Sequence, residues 1–221
     1  GEILGVAGVS GNGQRELAEV VAGLRPVTSG RVELGGVDIA SWSVARRTDA
    51  GLGYVPEERM HDGIVQEFSV AENLILQDHT HPPISRGIFL DFGAIAQRSR
   101  DLVRDFRIRT PSIDTPTRSL SGGNIQKVIM ARELSRNPQV LVAAQPTRGV
   151  DIGATEYIHE RLLEQRRQGS ATLLISEDLD EILALSDRIA VLYEGRVMDI
   201  IPRSEATAER LGLLMAGATV G

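Results

Sequence analysis

Apolar residues along this chain follow two rhythms in turn, one suited to buried strands and one to helices. Ile3, Leu4, Val6 and Ala7 form a short run bounded by glycine, as a buried strand requires. After a glycine-rich turn, Leu17, Val20, Val21 and Leu24 recur at helical spacing, and the Gly23 to Pro26 segment stops that helix. A hairpin is predicted around 30–39 with Gly35-Gly36 at its turn, then a strand over 51–55 closed by Pro56. From about Ser69 to Arg136 the spacing turns helical. It predicts a short helix over 70–76, a longer charged one over 92–106, and an amphipathic one over 124–136 with Ile125, Val128, Ile129 and Leu134 on one side. His81-Pro82-Pro83 and the stretch from Thr110-Pro111 to Thr115-Pro116 break this region into loops. Beyond Pro138, strands over 140–144, 171–175, 188–193 and 196–201 alternate with helices over 154–167 and 179–185.

Strands separated by helices of that length predict an α/β fold, a parallel sheet with helical cover interrupted by a helical insertion. With 221 residues the chain reads as a single domain over 1–221. Its core is expected at about 1–65 and 137–201, its helical subdomain at about 66–136, and a C-terminal tail at 202–221.

Composition then removes several function classes. The 24 Lys and Arg against 30 Asp and Glu leave a formal net charge of -6 with both signs dispersed, so no nucleic-acid partner is expected from bulk charge. The absence of cysteine excludes disulfides, thiolate zinc sites and a thiol nucleophile. No apolar run approaches the ~18 to 20 residues of a membrane span, and no basic-then-apolar leader precedes the first strand. That strand begins at the third residue with no initiator Met, which predicts a piece of a longer polypeptide.

Two segments carry candidate chemistry. Gly8-Val9-Ser10-Gly11-Asn12-Gly13-Gln14-Arg15 has the spacing of a phosphate-binding loop, in which glycines let successive backbone N–H groups converge on an anion at a helix start. Gln14 stands where that loop carries Lys, and Arg15 where it carries the hydroxyl that ligates Mg²⁺. A charge lost about 4 Å from phosphate removes on the order of 4 kcal/mol of gross attraction at an intermediate dielectric. Weak anion binding and a turn kept for its shape alone are both open. The second segment, Leu120-Ser121-Gly122-Gly123-Asn124, opens a helix with Ser121 as N-cap candidate and Gly122-Gly123 exposing backbone donors. The four histidines, at 61, 79, 81 and 159, have no metal-ligand spacing and read as solvated side chains, so no metal site is predicted. Trp42 reads as ordinary packing.

The order of these segments resembles the nucleotide-binding domain of ABC transporters over essentially the whole chain, implying a P-loop NTPase, a RecA-like core with an ABC-type helical subdomain. LSGGN at 120–124 is similar to the family signature. QPTRGVD at 145–151 resembles the end of the Walker B segment with the D-loop, GYVPEER at 53–59 the Q-loop, and LLISEDLDEI at 173–182 the switch-histidine segment. More narrowly, GNGQ, YVPEER and PTRGVD resemble the second domain of tandem ATPase subunits that drive importers of simple sugars and nucleosides, with a lean towards nucleosides.

The resemblance also exposes departures. Ala144 and Gln145 stand where the family has the Mg²⁺-binding Asp and the Glu that polarises water, Glu57 at the Q-loop glutamine, and Glu177 at the switch histidine. General-base assistance alone is typically worth ~10² to 10⁴ in rate, so this site is expected to be non-catalytic. The family pairs two such domains head to tail. Ser10, Gly11, Asn12, Gly13, Gln14 and Arg15 would then form a degenerate nucleotide loop. Ser121, Gly122, Gly123 and Asn124 would cap ATP, with its Mg²⁺, at a composite site on the partner domain. Asp151 would bond across that interface or cap the following helix. The implied partners are the other nucleotide-binding domain of the parent chain and membrane permease subunits, placing the domain in the cytoplasm on the inner face of the cell membrane. The alternatives are a regulatory or interaction module that binds no nucleotide, and a soluble ABC ATPase outside transport.

Overall fold

The computed structural model describes residues 1–218. In chain order its elements are β1 (Ile3–Ala7), α1 (Gln14–Ala22), β2 (Glu33–Leu34), β3 (Val37–Asp38), α2 (Val44–Asp49), β4 (Leu52–Val55) and α3 (Val70–Leu74). There follow β5 (Ser85–Arg86), β6 (Phe89–Leu90), α4 (Phe92–Asp105), α5 (Gly122–Leu134), β7 (Val140–Ala144) and α6 (Ile152–Arg167). The chain closes with β8 (Ala171–Ile175), α7 (Leu179–Leu185), β9 (Arg188–Tyr193), β10 (Arg196–Pro202) and α8 (Ala208–Met215). No helix among the described residues is long and apolar enough to cross a membrane.

Two compact units emerge. The first comprises 1–54, 138–146 and the chain from 161 onward. It holds a six-stranded sheet in the order β10-β9-β1-β8-β7-β4. β1 lies parallel between β8 and β9, with Val6 opposite Ile175 and Ala190, and β7 runs parallel to β8 with Ala144 opposite Ile175. β10 turns back antiparallel on β9 at one edge. The parallel strands have helices on their connections, so both faces are covered and each strand is a near-continuous apolar run. Val6, Val142, Ala144, Ile175 and Leu192 pack with Ala18 of α1, with Leu17, Val21 and Tyr54 around them. That packing fixes α1, and with it the glycine loop that opens it, at the C-terminal end of β1.

At the far end of α1, Arg47 of α2 is 1 % exposed. Its guanidinium donates to the carbonyls of Val20 (2.7 Å), Val21 (2.8 Å), Ala40 (3.0 Å) and Trp42 (3.3 Å). The first two belong to the last turn of α1, where the Val20 carbonyl also accepts from the Gly23 amide at 3.2 Å and helical carbonyls lack the i+4 amides that pair them further back. Burial lowers the guanidinium pKa, partly countered by Asp38.

The second unit, 55–137 and 147–160, is the helical one. Ala71 and Ile75, Ile84 and Ile95 form its small cluster, with Ile113 against them. The Ser69 side chain accepts from the Glu72 amide while Glu72 reaches back to the Ser69 N–H at 2.7 Å, a capping box that starts α3. Helix α5 departs from the amphipathic expectation: besides Ile125, Val128, Ile129 and Leu134, its Gln126, Arg132 and Glu133 are also buried. Pairing makes this tolerable for Arg132 and Glu133, since Arg132 Nε meets Glu133 Oε1 at 2.9 Å, its Nη1 donates to the Gly63 carbonyl at 2.9 Å, and Gln77 donates to Glu133 at 2.8 Å, whereas Gln126 Nε2 is buried without a hydrogen-bond partner among the described residues. A polar residue thus reads as solvent-facing in sequence although its partner, far along the chain, lets it stay inside.

Three further elements carry cap signals that the hydrophobic spacing does not reveal. Ser43 caps α2 through the Arg46 amide, Asp91 caps α4 through Ala94, and Thr207 caps α8 within the expected tail, whose last residues, 219–221, lie outside the described residues. The hairpin of β5 and β6 falls in a stretch without predicted structure. Trp42 is half-buried beneath the Arg46 guanidinium, 3.9 Å from the ring centre, consistent with a packing role.

Candidate functional site

In the first unit the glycine loop is shaped largely by hydrogen bonds to one carbonyl. The Val9 oxygen accepts from the Asn12 amide (3.2 Å), the Asn12 side chain (3.0 Å) and Gln14 Nε2 (3.0 Å). Asn12 also ties the loop to the turn after β9, accepting from the Glu194 amide at 2.8 Å through its side chain and from Gly195 at 3.0 Å through its backbone. Gly13 enters α1 with φ of 103°, a conformation that side-chain-bearing residues avoid. Ser10 and Gly11 are exposed, but Gln14 is only 7 % exposed and folds back over Gly8, where an added Cβ would lie 2.5 Å from its Nε2. Arg15 turns along the helix to Glu19 (2.8 Å), whose other oxygen binds Arg25, and these two partners hold the Glu19 carboxyl below its usual pKa.

The ends of β7 and β8 bring two more expected positions together. Ala144 is buried and presents no donor or acceptor side chain. Gln145 sits at φ of 49°, its amide donates to the Ile175 carbonyl at 2.8 Å, and its side-chain oxygen accepts from the Glu177 amide at 3.3 Å. The Glu177 side chain is exposed. Gln145 therefore acts as a backbone staple between the two strand ends.

In the second unit Ser121 occupies the N-cap position of α5 in an extended conformation, yet its hydroxyl caps no amide. It accepts instead from Asn124 Nδ2 at 2.9 Å, while Asn124 Oδ1 accepts from the Arg109 amide at 2.8 Å. The cap expected from sequence is thus a cap in backbone geometry only, which leaves the first-turn N–H groups without that side-chain acceptor. Asp151, exposed, accepts from the Ala154 amide through Oδ1 at 2.9 Å and so starts α6. A cavity of about 220 Å³ opens between the two helix starts, lined among others by Arg109, Ser121, Asn124, Lys127 and Asp151. Lys127 lies over the Tyr157 ring at 4.8 Å. Burial, and then the neighbouring Arg109, lower its pKa below the usual lysine value.

The Q-loop-like and D-loop-like segments meet in the same unit. Glu57 forms an ion pair with Arg148. Arg59 donates through Nη1 to the Arg148 carbonyl and through Nη2 to the Gly149 carbonyl, the latter at 2.9 Å. Glu57 is thereby committed to an arginine. The spacing of residues assigned no role to Arg59, Arg109, Lys127 or Arg148. The partners of Arg59, Lys127 and Arg148 lie 20 to 91 positions away, and the only signal was that Arg59 and Arg148 fall within motif-like segments.

The two sites differ in what they fit. The glycine loop has Gln14 closed upon it, Arg15 paired elsewhere, and Ala144 and Gln145 in place of acids. These residues do not fit a Mg²⁺-bound triphosphate. The start of α5, whose amides receive no side-chain cap, has Arg109 and Lys127 as well as the Asp151 carboxylate around its cavity, and its backbone donors with the two cations suit an anionic phosphate.

A profile of the ABC transporter family matches residues 1–148. The guanosine import ATP-binding protein NupO of Bacillus subtilis is 48 % identical over 219 residues, which cover 99 % of this chain and 43 % of that protein. The nucleoside import ATP-binding protein NupA of Lactococcus lactis is 47 % identical over 220 residues, covering 100 % of this chain and 44 % of that protein. The ribose import ATP-binding protein RbsA 1 of Rubrobacter xylanophilus is 41 % identical, with 99 % and 44 % covered. The chain thus spans less than half the length of these curated relatives. Among solved structures, the dimeric post-hydrolysis state of the ATP-binding cassette MJ0796 bound to ADP and Pi superposes with a TM-score of 0.76 at 21 % identity, covering 91 % of this chain and 85 % of that one. Placed beside the parallel sheet, the glycine loop and the SGG-initiated helix, these matches identify the chain as a nucleotide-binding domain that belongs to the ABC transporter family.

Proposed function

We propose that this domain belongs to the ATP-binding subunit of an importer for a nucleoside or simple sugar, and that it is the half whose own nucleotide loop does not catalyse. The observation that carries this reading is the contrast between its two sites. Gln14 lies closed on the Val9 carbonyl and no acid stands at 144 or 145, whereas the α5 start has no side-chain cap on its amides and lies beside the cations Arg109 and Lys127 and the Asp151 carboxylate. In this reading Ser121, Gly122, Gly123 and Asn124 present backbone and side-chain donors to the terminal phosphate of ATP held with Mg²⁺ by a partner domain of the same parent chain. Asp151 lies at the same interface, and Glu57, Gln145 and Glu177 are structural. ATP with Mg²⁺ would supply the phosphoanhydride and its charge neutralisation at that composite site, and this chain's part is to orient and stabilise the phosphate. A membrane permease would dock the assembly on the cytoplasmic face of the membrane. Relatives named for guanosine, nucleoside and ribose import support the substrate class.

In the full-length protein, Ser121→Arg places a long side chain at the start of α5 and should abolish ATP hydrolysis while the protein stays folded. Turnover at the unsubstituted rate would refute the reading.

A further inference from the structure

Three segments far apart in sequence converge on one guanidinium. Arg59 stands at the start of the single wide helical turn Arg59–Gly63. Through its two amino groups it holds the carbonyls of Arg148 and Gly149, the peptides just before Asp151. A Cβ added at Gly122 would lie 2.9 Å from Arg59 Nη2, and one added at Gly149 would lie 3.3 Å from it. The next signature glycine is hemmed in by residues just beyond the held carbonyls: a Cβ at Gly123 would sit 3.1 Å from Asp151 Oδ2 and 3.1 Å from the Ala154 Cβ. The two glycines of the signature are therefore closed on one side by Arg59 and on the other by Asp151 and α6. The Glu57–Arg148 ion pair returns the chain in the opposite direction, so each segment contributes an arginine to the other.

We infer that Arg59 is a positioning residue that locks the 148–151 turn and the start of α5 into one rigid cradle, so that the donors of Ser121 to Asn124 and the Asp151 carboxylate are presented in a fixed relative orientation. This rests on the proposed role of the signature as the cap of a nucleotide held by a partner. Preorganised donors stabilise developing charge only when they need not move during the reaction. Arg59 touches no substrate in this scheme and acts through the two peptides it holds. Its guanidinium suits the task because its forked donors reach two adjacent carbonyls at once, whereas a lysine offers a single nitrogen. The exposed Glu57–Arg148 pair adds less, because solvent screens it.

The test uses the full-length protein and compares Arg59→Ala, Arg59→Lys and Ser121→Arg in steady-state ATP hydrolysis, with thermal midpoints as a check on folding. A cradle misplaced by about 1 Å can cost on the order of 10²-fold, so Arg59→Ala should lower kcat by about tenfold or more. The KM for ATP should remain within about twofold, because the partner's loop sets ground-state binding. Arg59→Lys should fall between the two, and backbone amides over 149–151 and 122–124 should exchange faster in Arg59→Ala. If Ser121→Arg abolishes turnover while Arg59→Ala leaves kcat unchanged, the positioning role is overturned and the role of the signature stands. If both variants turn over normally, the role of the signature falls, and the positioning role with it. Should Arg59→Ala fail to fold, Arg59→Lys decides, and a wild-type kcat in that variant overturns the inference.

Discussion

Replacing Arg47 by Met tests whether the helix that carries the glycine loop is held from its far end. The guanidinium is 1 % exposed and gives four hydrogen bonds to carbonyls, three of them at 3.0 Å or less. A hydrogen bond from a charged donor contributes about 1.5 to 3 kcal/mol, so three strong ones represent roughly 5 to 9 kcal/mol gross. Against this stands the cost of keeping a cation out of water without a carboxylate in contact, several kcal/mol for a buried ion. Met retains most of the aliphatic volume, so little is added for a cavity. The net loss is about 3 kcal/mol, which for a chain of this size lowers the thermal midpoint by roughly 6 to 12 °C. Differential scanning calorimetry measures it. Arg47→Lys keeps the charge but reaches fewer carbonyls, so it should lose about half as much. A midpoint for Arg47→Met within about 2 °C of the parent would show that water satisfies the four carbonyls and that the desolvation cost cancels the bonds.

Gly23, the C-terminal cap of α1, has φ of 85°, and a Cβ there would meet Arg47 Nε at 2.8 Å. Gly23→Ala should therefore cost roughly 2 kcal/mol in urea unfolding, from left-handed strain and displacement of Arg47, and an unchanged midpoint would contradict this geometry. For pH, Glu72 accepts from the Ser69 amide, which with the Ser69 hydroxyl holds its carboxyl below the usual 4.5. A lowered folded pKa contributes stability that is complete above about pH 4.5 and disappears as pH falls through the lower folded value. Glu72→Gln should accordingly destabilise at neutral pH and less in acid, once the pH has fallen below the folded value of the Glu72 carboxyl. Equal penalties at neutral and acid pH, from urea melts, would rule out the ionised Glu72 carboxylate as their source.

The sequence by itself determined the alternation of strands and helices, because a buried strand needs a continuous apolar run and a helix a spaced one. The strands at β1, β7, β8 and β9 and the helices α4, α6 and α7 were legible for that reason. The replacements Gln14, Arg15, Ala144, Gln145 and Glu177 were legible as well, since the chemistry a side chain lacks is written in its identity. The short helix α2 and the two-residue strands β5 and β6 carry too few apolar positions to show a period, whereas α8 does space Ala208, Leu211 and Met215 at helical intervals within the stretch expected to be a tail. What only the tertiary structure decided is which partner each polar group found. Gln14 folding onto Val9, Arg15 pairing with Glu19, Ser121 taking Asn124 instead of an amide, and Glu57 and Arg59 reaching 148–149 all depend on where side chains end up once the backbone is placed. Arg47 shows the same limit: nothing in VARRTD marks its second arginine for burial, because the carbonyls that make burial tolerable belong to residues as far as 27 positions away. Hydrophobic periodicity is a local property of the chain, whereas hydrogen-bond satisfaction is a property of the folded neighbourhood, and only the neighbourhood distinguishes a closed loop from an open cradle.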